Sequence, residues 1–217
     1  MKSRLLKSVL LSAALLSVPL LSIAQSIVYD NTSNPVSSGG QQLFYPSANE
    51  FGDQITLAGT DRTLSQFTFY YYFSGASPGG SAVIHFYDNT GAGGSPNAAS
   101  FYNSDPITLS PGYNNQTIDF SSASPVTLPN SFTWTIQFSS LGGNQAGLLV
   151  YGPPTVGSSF TDFWENSGGT WSTMGITGQP SADFAARVTA VPEPGTLAIG
   201  ALALLIGAVR FRSKLRR

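Results

Sequence analysis

The chain has no cysteine among its 217 residues. That excludes a disulfide framework, a thiol nucleophile and any cysteine-based metal centre. It has one histidine, His85. Zinc is therefore short of ligands, and a Ser-His-Asp triad would have to be built on this single residue. Charge is scarce too, at 10% of residues. Between Gln25 and Ala190 there is no lysine. Only Arg62 and Arg187 stand there against eight aspartates and two glutamates, a net charge of −8. Such a stretch cannot hold phosphates by counterion release, so no nucleic acid is expected as a partner. Neutral polysaccharide, divalent cations and other proteins stay open. The same stretch also lacks any helical stripe of apolar residues.

The other eight cations lie at the two ends. Lys2, Arg4 and Lys7 precede an apolar run, Val9–Leu21, and Ser22-Ile23-Ala24 supplies small residues for cleavage between Ala24 and Gln25. At the other end stands Val191-Pro192-Glu193-Pro194-Gly195, then an uncharged run Thr196–Val209, then five cations in Arg210–Arg217. The two prolines fix φ, remove backbone donors and hold Glu193 in extended chain. As a helix, the fourteen residues Thr196–Val209 would span about 21 Å, short of the ~30 Å hydrocarbon core. Snorkelling arginines and bilayer thinning can close part of that gap. The run is apolar on every face and ends in a basic cluster, which fits a membrane segment better than a core helix. The positive-inside bias then puts its basic end in the cytoplasm. Three parts follow: a signal peptide at 1–24, a body at 25–190 and a tail at 191–217.

The tail resembles the bacterial PEP-CTERM sorting signal, through Pro192-Glu193-Pro194, the hydrophobic run and the Arg/Lys-rich end. The resemblance implies an exosortase as processing partner, cutting near the motif. It implies export through the inner membrane and residence at the cell surface or in the extracellular matrix. Such proteins are associated with extracellular polysaccharide and biofilm formation.

In the body the hydrophobic period is two. Phe132, Trp134, Ile136 and Phe138 alternate with Thr133, Thr135 and Gln137, the pattern of a half-buried strand. Thr63–Phe73 does the same with Phe67, Phe69, Tyr71 and Phe73. Further strands are expected at Ser26–Asp30, Gln41–Tyr45, Gln54–Ala58, Ala82–Asp88, Ile107–Leu109, Gln116–Phe120, Leu148–Tyr151, Thr161–Glu165, Thr170–Met174 and Ala182–Thr189. Gly/Pro/Asn/Ser clusters separate them. The expected fold is all-β: an antiparallel two-sheet sandwich, jelly-roll-like, between the signal peptide and one C-terminal hydrophobic helix. A closed barrel is the second choice. The first and last strands should pair with the body and leave the hinge free.

Candidates for chemistry are few. His85 should face away from the core, opposite to Ile84 and Phe86, and no nucleophile elbow accompanies it. Glycoside hydrolysis needs two carboxyls, and nothing in the spacing of Glu50, Glu165 and the aspartates singles out a pair. Tyr29-Asp30-Asn31-Thr32 and Tyr87-Asp88-Asn89-Thr90 repeat at strand ends. They read as side-chain-capped turns, with Ca²⁺ at Asp30 or Asp88 as the alternative. Asn166-Ser167-Gly168-Gly169 reads as a turn setting Glu165 opposite Thr170 and Trp164 opposite Trp171. The two indoles, with Asp162 further along the face, would then offer a platform for stacking a sugar. The plainer reading is an aromatic cross-strand pair. No catalytic residue, metal or cofactor is assigned. The function expected is that of an exported, non-enzymatic surface or matrix protein. A carbohydrate-binding module on the same anchor is the alternative, and a secreted hydrolase is the least favoured.

Overall fold

The computed structural model describes residues 24–121, 124–178 and 183–193. The expected signal peptide, apart from Ala24, and the expected helix Thr196–Val209 lie outside the described residues. In chain order the strands are β1 (Ser26–Asp30), β2 (Ser37–Ser38), β3 (Gln41–Gln42), β4 (Phe44–Pro46), β5 (Glu50–Thr56), β6 (Thr63–Phe73), β7 (Gly79–Asp88) and β8 (Tyr102–Asn103). There follow β9 (Ile107–Leu109), β10 (Gly112–Asp119), β11 (Ser131–Ser139), β12 (Ala146–Tyr151), β13 (Ser158–Ser159), β14 (Phe163–Ser167), β15 (Thr170–Met174), β16 (Asp183–Phe184) and β17 (Ala186–Val191).

Alternation decides which side chains go inward. In β6, Phe67, Phe69, Tyr71 and Phe73 are buried, while Gln66, Thr68, Tyr70 and Tyr72 point outward and are half-buried. β11 turns Phe132, Trp134, Ile136 and Phe138 inward in the same way. The strands form two large antiparallel sheets, and β2 and β3 pair as a separate short ribbon. β6 is the spine of the first. β10 runs along one of its edges, with Asp119 opposite Gln66 and Gly112 opposite Phe73. β17 and β12 divide the other edge, β17 against Thr63–Phe69 and β12 against Tyr71–Phe73. β1 extends this sheet beyond β17, while β4 and β16 pair with β12. The second sheet has the order β15-β14-β5-β11-β7-β8. From β5 through β12 the longer strands alternate between the sheets, so most neighbours in a sheet are distant in sequence.

The two inner faces interlock through aromatic rings. Phe67 of the first sheet meets Phe86 and Trp134 of the second edge-on, at centroid distances of 5.0 and 5.2 Å. Toward the other end Tyr45, Phe51, Phe163 and Phe184 form a second cluster, with Tyr45–Phe163 at 4.7 Å and Phe51–Phe184 at 5.3 Å. Such arrangements add about 0.5–1.5 kcal/mol per pair beyond area burial. This is a sandwich of two sheets, not a closed barrel.

Several boundaries depart from the sequence reading: Gln41–Tyr45 is split at Leu43, the strand expected at Ala182–Thr189 is split at Ala185, and those expected at Ala82–Asp88, Leu148–Tyr151 and Thr161–Glu165 are shifted or extended. Two are instructive. β5 begins at Glu50, not Gln54, because Asp53 lies inward with Phe51 and Ile55 and disguises the alternation. β10 begins at Gly112 although Tyr113-Asn114-Asn115 has turn composition; the full-length ladder with β6 overrides that preference.

Asp53 has a structural task. Its carboxylate accepts the Phe184 N–H of β16, and Asn31 Nδ2 donates to the Phe184 carbonyl at 3.2 Å. β12 takes the opposite edge of β16. Side chains thus satisfy an edge that no further strand covers, and Asp53 ties the second sheet to the first.

Trp134 is fully buried at the centre of the interlock, and its indole nitrogen has no partner. Trp134→Ala should cost about 3–5 kcal/mol, read as a lowered urea midpoint. An unchanged midpoint would show that the centre of the core lies elsewhere.

Candidate functional site

The outer face of the second sheet gathers polar groups from three strands. Glu50, Gly52 and Gln54 come from β5, Thr133 and Thr135 from β11, and His85 and Tyr87 from β7. The register places Thr135 beside both Gly52 and His85. Glu50 is the hub. Thr135 Oγ1 donates to its Oε1, and His85 Nδ1 lies 3.0 Å from the same oxygen. Burial alone would raise the Glu50 carboxyl. The contacts of His85, Thr135 and Tyr87 outweigh it and hold the group below its ordinary value. Burial, and then the charge of Glu50, push the Tyr87 phenol up. The cluster is an ionised carboxylate surrounded by donors. His85 does face away from the core, as its alternation with Ile84 and Phe86 requires.

The hairpin β14–β15 roofs this face, with a register different from that expected. Gly168 and Gly169, at φ 60° and 88°, form the two-residue loop, so Ser167 pairs with Thr170 and Asn166 with Trp171. Two consecutive positive φ values suit glycine at both positions, which keeps Ser167 in the strand. Trp164 stands opposite Thr173, not Trp171. The two indoles share a face as diagonal neighbours. Trp164 lies over Gly52, donates from Nε1 to Gln54 at 3.2 Å, and is stacked on one side by Phe160. Trp171 reaches the Tyr87 ring at 5.3 Å, edge-on. Their strands are four places apart in the sheet, so the hairpin must curl back across the outer face. That roof explains why Thr133 and Thr135, read as solvent-facing, are fully buried. Asp162 precedes β14 and is exposed.

Glu165 goes the other way. It pairs with Phe51 and so points to the inner side, where it accepts from the Tyr45 hydroxyl at 3.2 Å and from Asn49 Nδ2 at 2.9 Å. Glu50 and Glu165 therefore lie on opposite faces of one sheet. At Asp30 the turn reading holds. Its Oδ1 accepts from the Thr32 N–H and hydroxyl, and its Oδ2 lies 2.8 Å from Arg187. Asn89 is engaged by Ser131 and Thr133.

A second acidic site escaped the sequence reading: Asp53 and Asp183, with Tyr29 and Ser159 beside them. Burial first, and the charge of Asp183 second, push Asp53 well above the carboxylate range. Burial, outweighing a bond from Ser159, pushes Asp183 up to about 7. The available signal was an aspartate inside the alternation Phe51, Asp53, Ile55.

The first and last strands of the body meet. β1 pairs with β17, with Ser26 opposite Ala190. Ala24 and Gln25, the expected cleavage position, are exposed directly before β1. Pro192 and Glu193 follow β17 without a linker, with Glu193 exposed. Pro194 lies outside the described residues.

The acid pair carries a pH dependence. Both members have raised folded-state pKa values, so their stabilisation is fully present below about 3.8, and the part carried by Asp183 is lost as pH rises through about 7. Glu50 has the opposite sign, but its contribution fades only as pH falls below its ordinary 4.5. The melting temperature should therefore drop by about a few degrees between pH 5 and pH 8. Asp183→Asn should remove much of that drop. A wild-type protein that gains stability over this interval would contradict the assignment.

Residues 190–217 match the family described as the PEP-CTERM protein-sorting motif. No curated protein matches the chain. The motif implies processing by an exosortase and a destination outside the cell or at its surface. The match begins at Ala190, inside β17, so the signal starts within the last strand of the folded body. The chain carries a PEP-CTERM protein-sorting motif at its C-terminal end.

Proposed function

We propose that this is an exported, non-enzymatic component of the cell surface or extracellular matrix, held in the inner membrane by Thr196–Val209 until an exosortase processes it. Residues 1–24 direct export, 25–190 form the resident body and 191–217 the sorting tail. The carrying observation is the junction. β17 ends at Val191, one residue before Pro192, and it is clamped between β6 and β1. The body folds up to Val191, and Pro192 and Glu193 lie outside the last strand. The four residues Pro192–Gly195 reach at most about 14 Å, so the body would stand beside the membrane with the motif in the gap.

The absence of catalysis is argued from placement. His85 is held at Glu50, and the Thr135 hydroxyl donates to that glutamate rather than to the imidazole. Glu50 stays ionised at neutral pH and cannot serve as a general acid, and Glu165 points to the other side of the sheet. The two-carboxyl arrangement of glycosidases does not assemble from these glutamates. The carbohydrate-binding reading through Trp164, Trp171 and Asp162 now draws on a diagonal indole pair with one ring covered. Residence near extracellular polysaccharide is supported by the sorting motif alone.

Replacing Pro192-Glu193-Pro194 by three alanines should leave the tail attached and the protein in the inner membrane. Intact-mass analysis of the exported form reads this directly. A native exported protein still ending at Arg217, in cells containing an exosortase, would overturn the reading.

A further inference from the structure

The outer face of the first sheet is aromatic where a solvent-facing sheet surface is ordinarily polar. Tyr70 and Tyr72 project from β6, Tyr113 from β10, Phe44 from β4 and Tyr151 from β12. Phe44 and Tyr72 meet at 4.6 Å, Tyr72 and Tyr113 at 4.9 Å, and Tyr70 and Tyr151 at 5.9 Å. A backbone feature allows the first contact. Gly147 of β12 lies between Phe44 and Tyr72, and a Cβ there would come within 2.9 Å of the Phe44 ring. Beside this row of rings lies an open cleft of about 270 Å³, lined by Tyr70, Tyr113 and Tyr151 with the buried Leu149, Gln42 and Asn115; Phe44 and Tyr72 stand outside it.

The Gln42 amide is spent on the Val36 and Val150 carbonyls, but other hydrogen-bonding groups of the cleft are uncommitted. Among the described residues, the Tyr70 and Tyr151 hydroxyls and the Asn115 amide have no intramolecular side-chain partner. Tyr113 is 52% exposed, and its hydroxyl makes only a long contact of 3.5 Å to the Gln42 carbonyl. Asn114, by contrast, is tied to three backbone carbonyls of its own turn. No charged side chain lines the cleft. Arg187, the cation of this sheet face, is held by Asp30.

We propose that this cleft binds a neutral polysaccharide chain. A pyranose ring presents an apolar C–H face to an aromatic wall and a rim of hydroxyls, each both donor and acceptor. Phenols and amides match that rim in both directions. Neutral lining and a body of charge −8 disfavour an anionic polymer. The site is separate from the sorting motif and from the Trp164–Trp171 hairpin, which lies on the other sheet. It therefore does not depend on how the tail is processed.

The test uses the full chain in detergent micelles, run by affinity electrophoresis through gels containing hydroxyethylcellulose, xylan or glucomannan, with polygalacturonate as the anionic comparator. At least one neutral polymer should retard the protein and polygalacturonate should not. The double variant Tyr113→Ala/Asn115→Ala, at two exposed positions, should weaken retardation by about tenfold. Tyr70→Phe and Tyr151→Phe, which keep the rings, should weaken it less. Trp171→Ala should leave it unchanged. Retardation by no neutral polymer, retention by polygalacturonate alone, or equal retention by the folded double variant each overturns the proposal. Loss on Trp171→Ala with no loss on the double variant would move the site to the other sheet and overturn it as well.

Discussion

Everything else in this molecule depends on aromatic rings meeting across the two inner faces. With no disulfide to constrain the unfolded chain, the sandwich is held by burial and ring geometry. Trp134, Phe67 and Phe86 mark one centre and Phe51, Phe163, Tyr45 and Phe184 the other. Because the middle strands alternate between sheets, each of these contacts joins segments far apart in sequence. Loop closure must come before most of the reward. The core is therefore an all-or-none object, and the polar sites are as rigid as the interlock beneath them.

The two outer faces are finished differently. On the second sheet a hairpin curls over the strands and buries a polar cluster around Glu50. Trp171 closes on Tyr87, and the carboxylate beneath is satisfied by several donors. Such a network fixes geometry and leaves little capacity for a ligand. On the first sheet, across β6, β10 and β12, no described residue is folded over the face. Among the described residues, the Tyr70 and Tyr151 hydroxyls have no side-chain partner there, and Tyr113 is exposed. The contrast argues that the roofed cluster serves the architecture and the open cleft serves recognition.

Asp53 shows how an acidic body can place a carboxyl in its core. It caps the free edge of β16 and joins the sheets, at the cost of sitting near Asp183 in a site that disfavours two charges. The pairing of β1 with β17 is a similar economy. It brings the first and last strands of the body together, with Pro192 and Glu193 directly after the last ladder.

The ends and the class of the fold were legible in the sequence. A hydrophobic run between charge clusters, or a Pro-Glu-Pro hinge, carries its meaning in local order, as does a period of two. Ser26–Asp30, Thr63–Phe73, Ser131–Ser139 and Thr170–Met174 have the bounds the sequence suggests because alternation and breakers agree there. What lay beyond reach was set by partners. Only a ladder with β6 makes a strand of Tyr113-Asn114-Asn115. Only β16 and Asn31 make sense of a buried Asp53. The hairpin shows the limit most sharply. The sequence put both tryptophans on one face, but closing the loop on Gly168-Gly169 alone moved the partner of Trp164 from Trp171 to Thr173, two residues along. The curl that carries Trp171 to Tyr87 is a property of the whole sheet. The aromatic cleft arises likewise from Tyr70, Tyr113 and Tyr151 on three strands, which only the tertiary fold brings together.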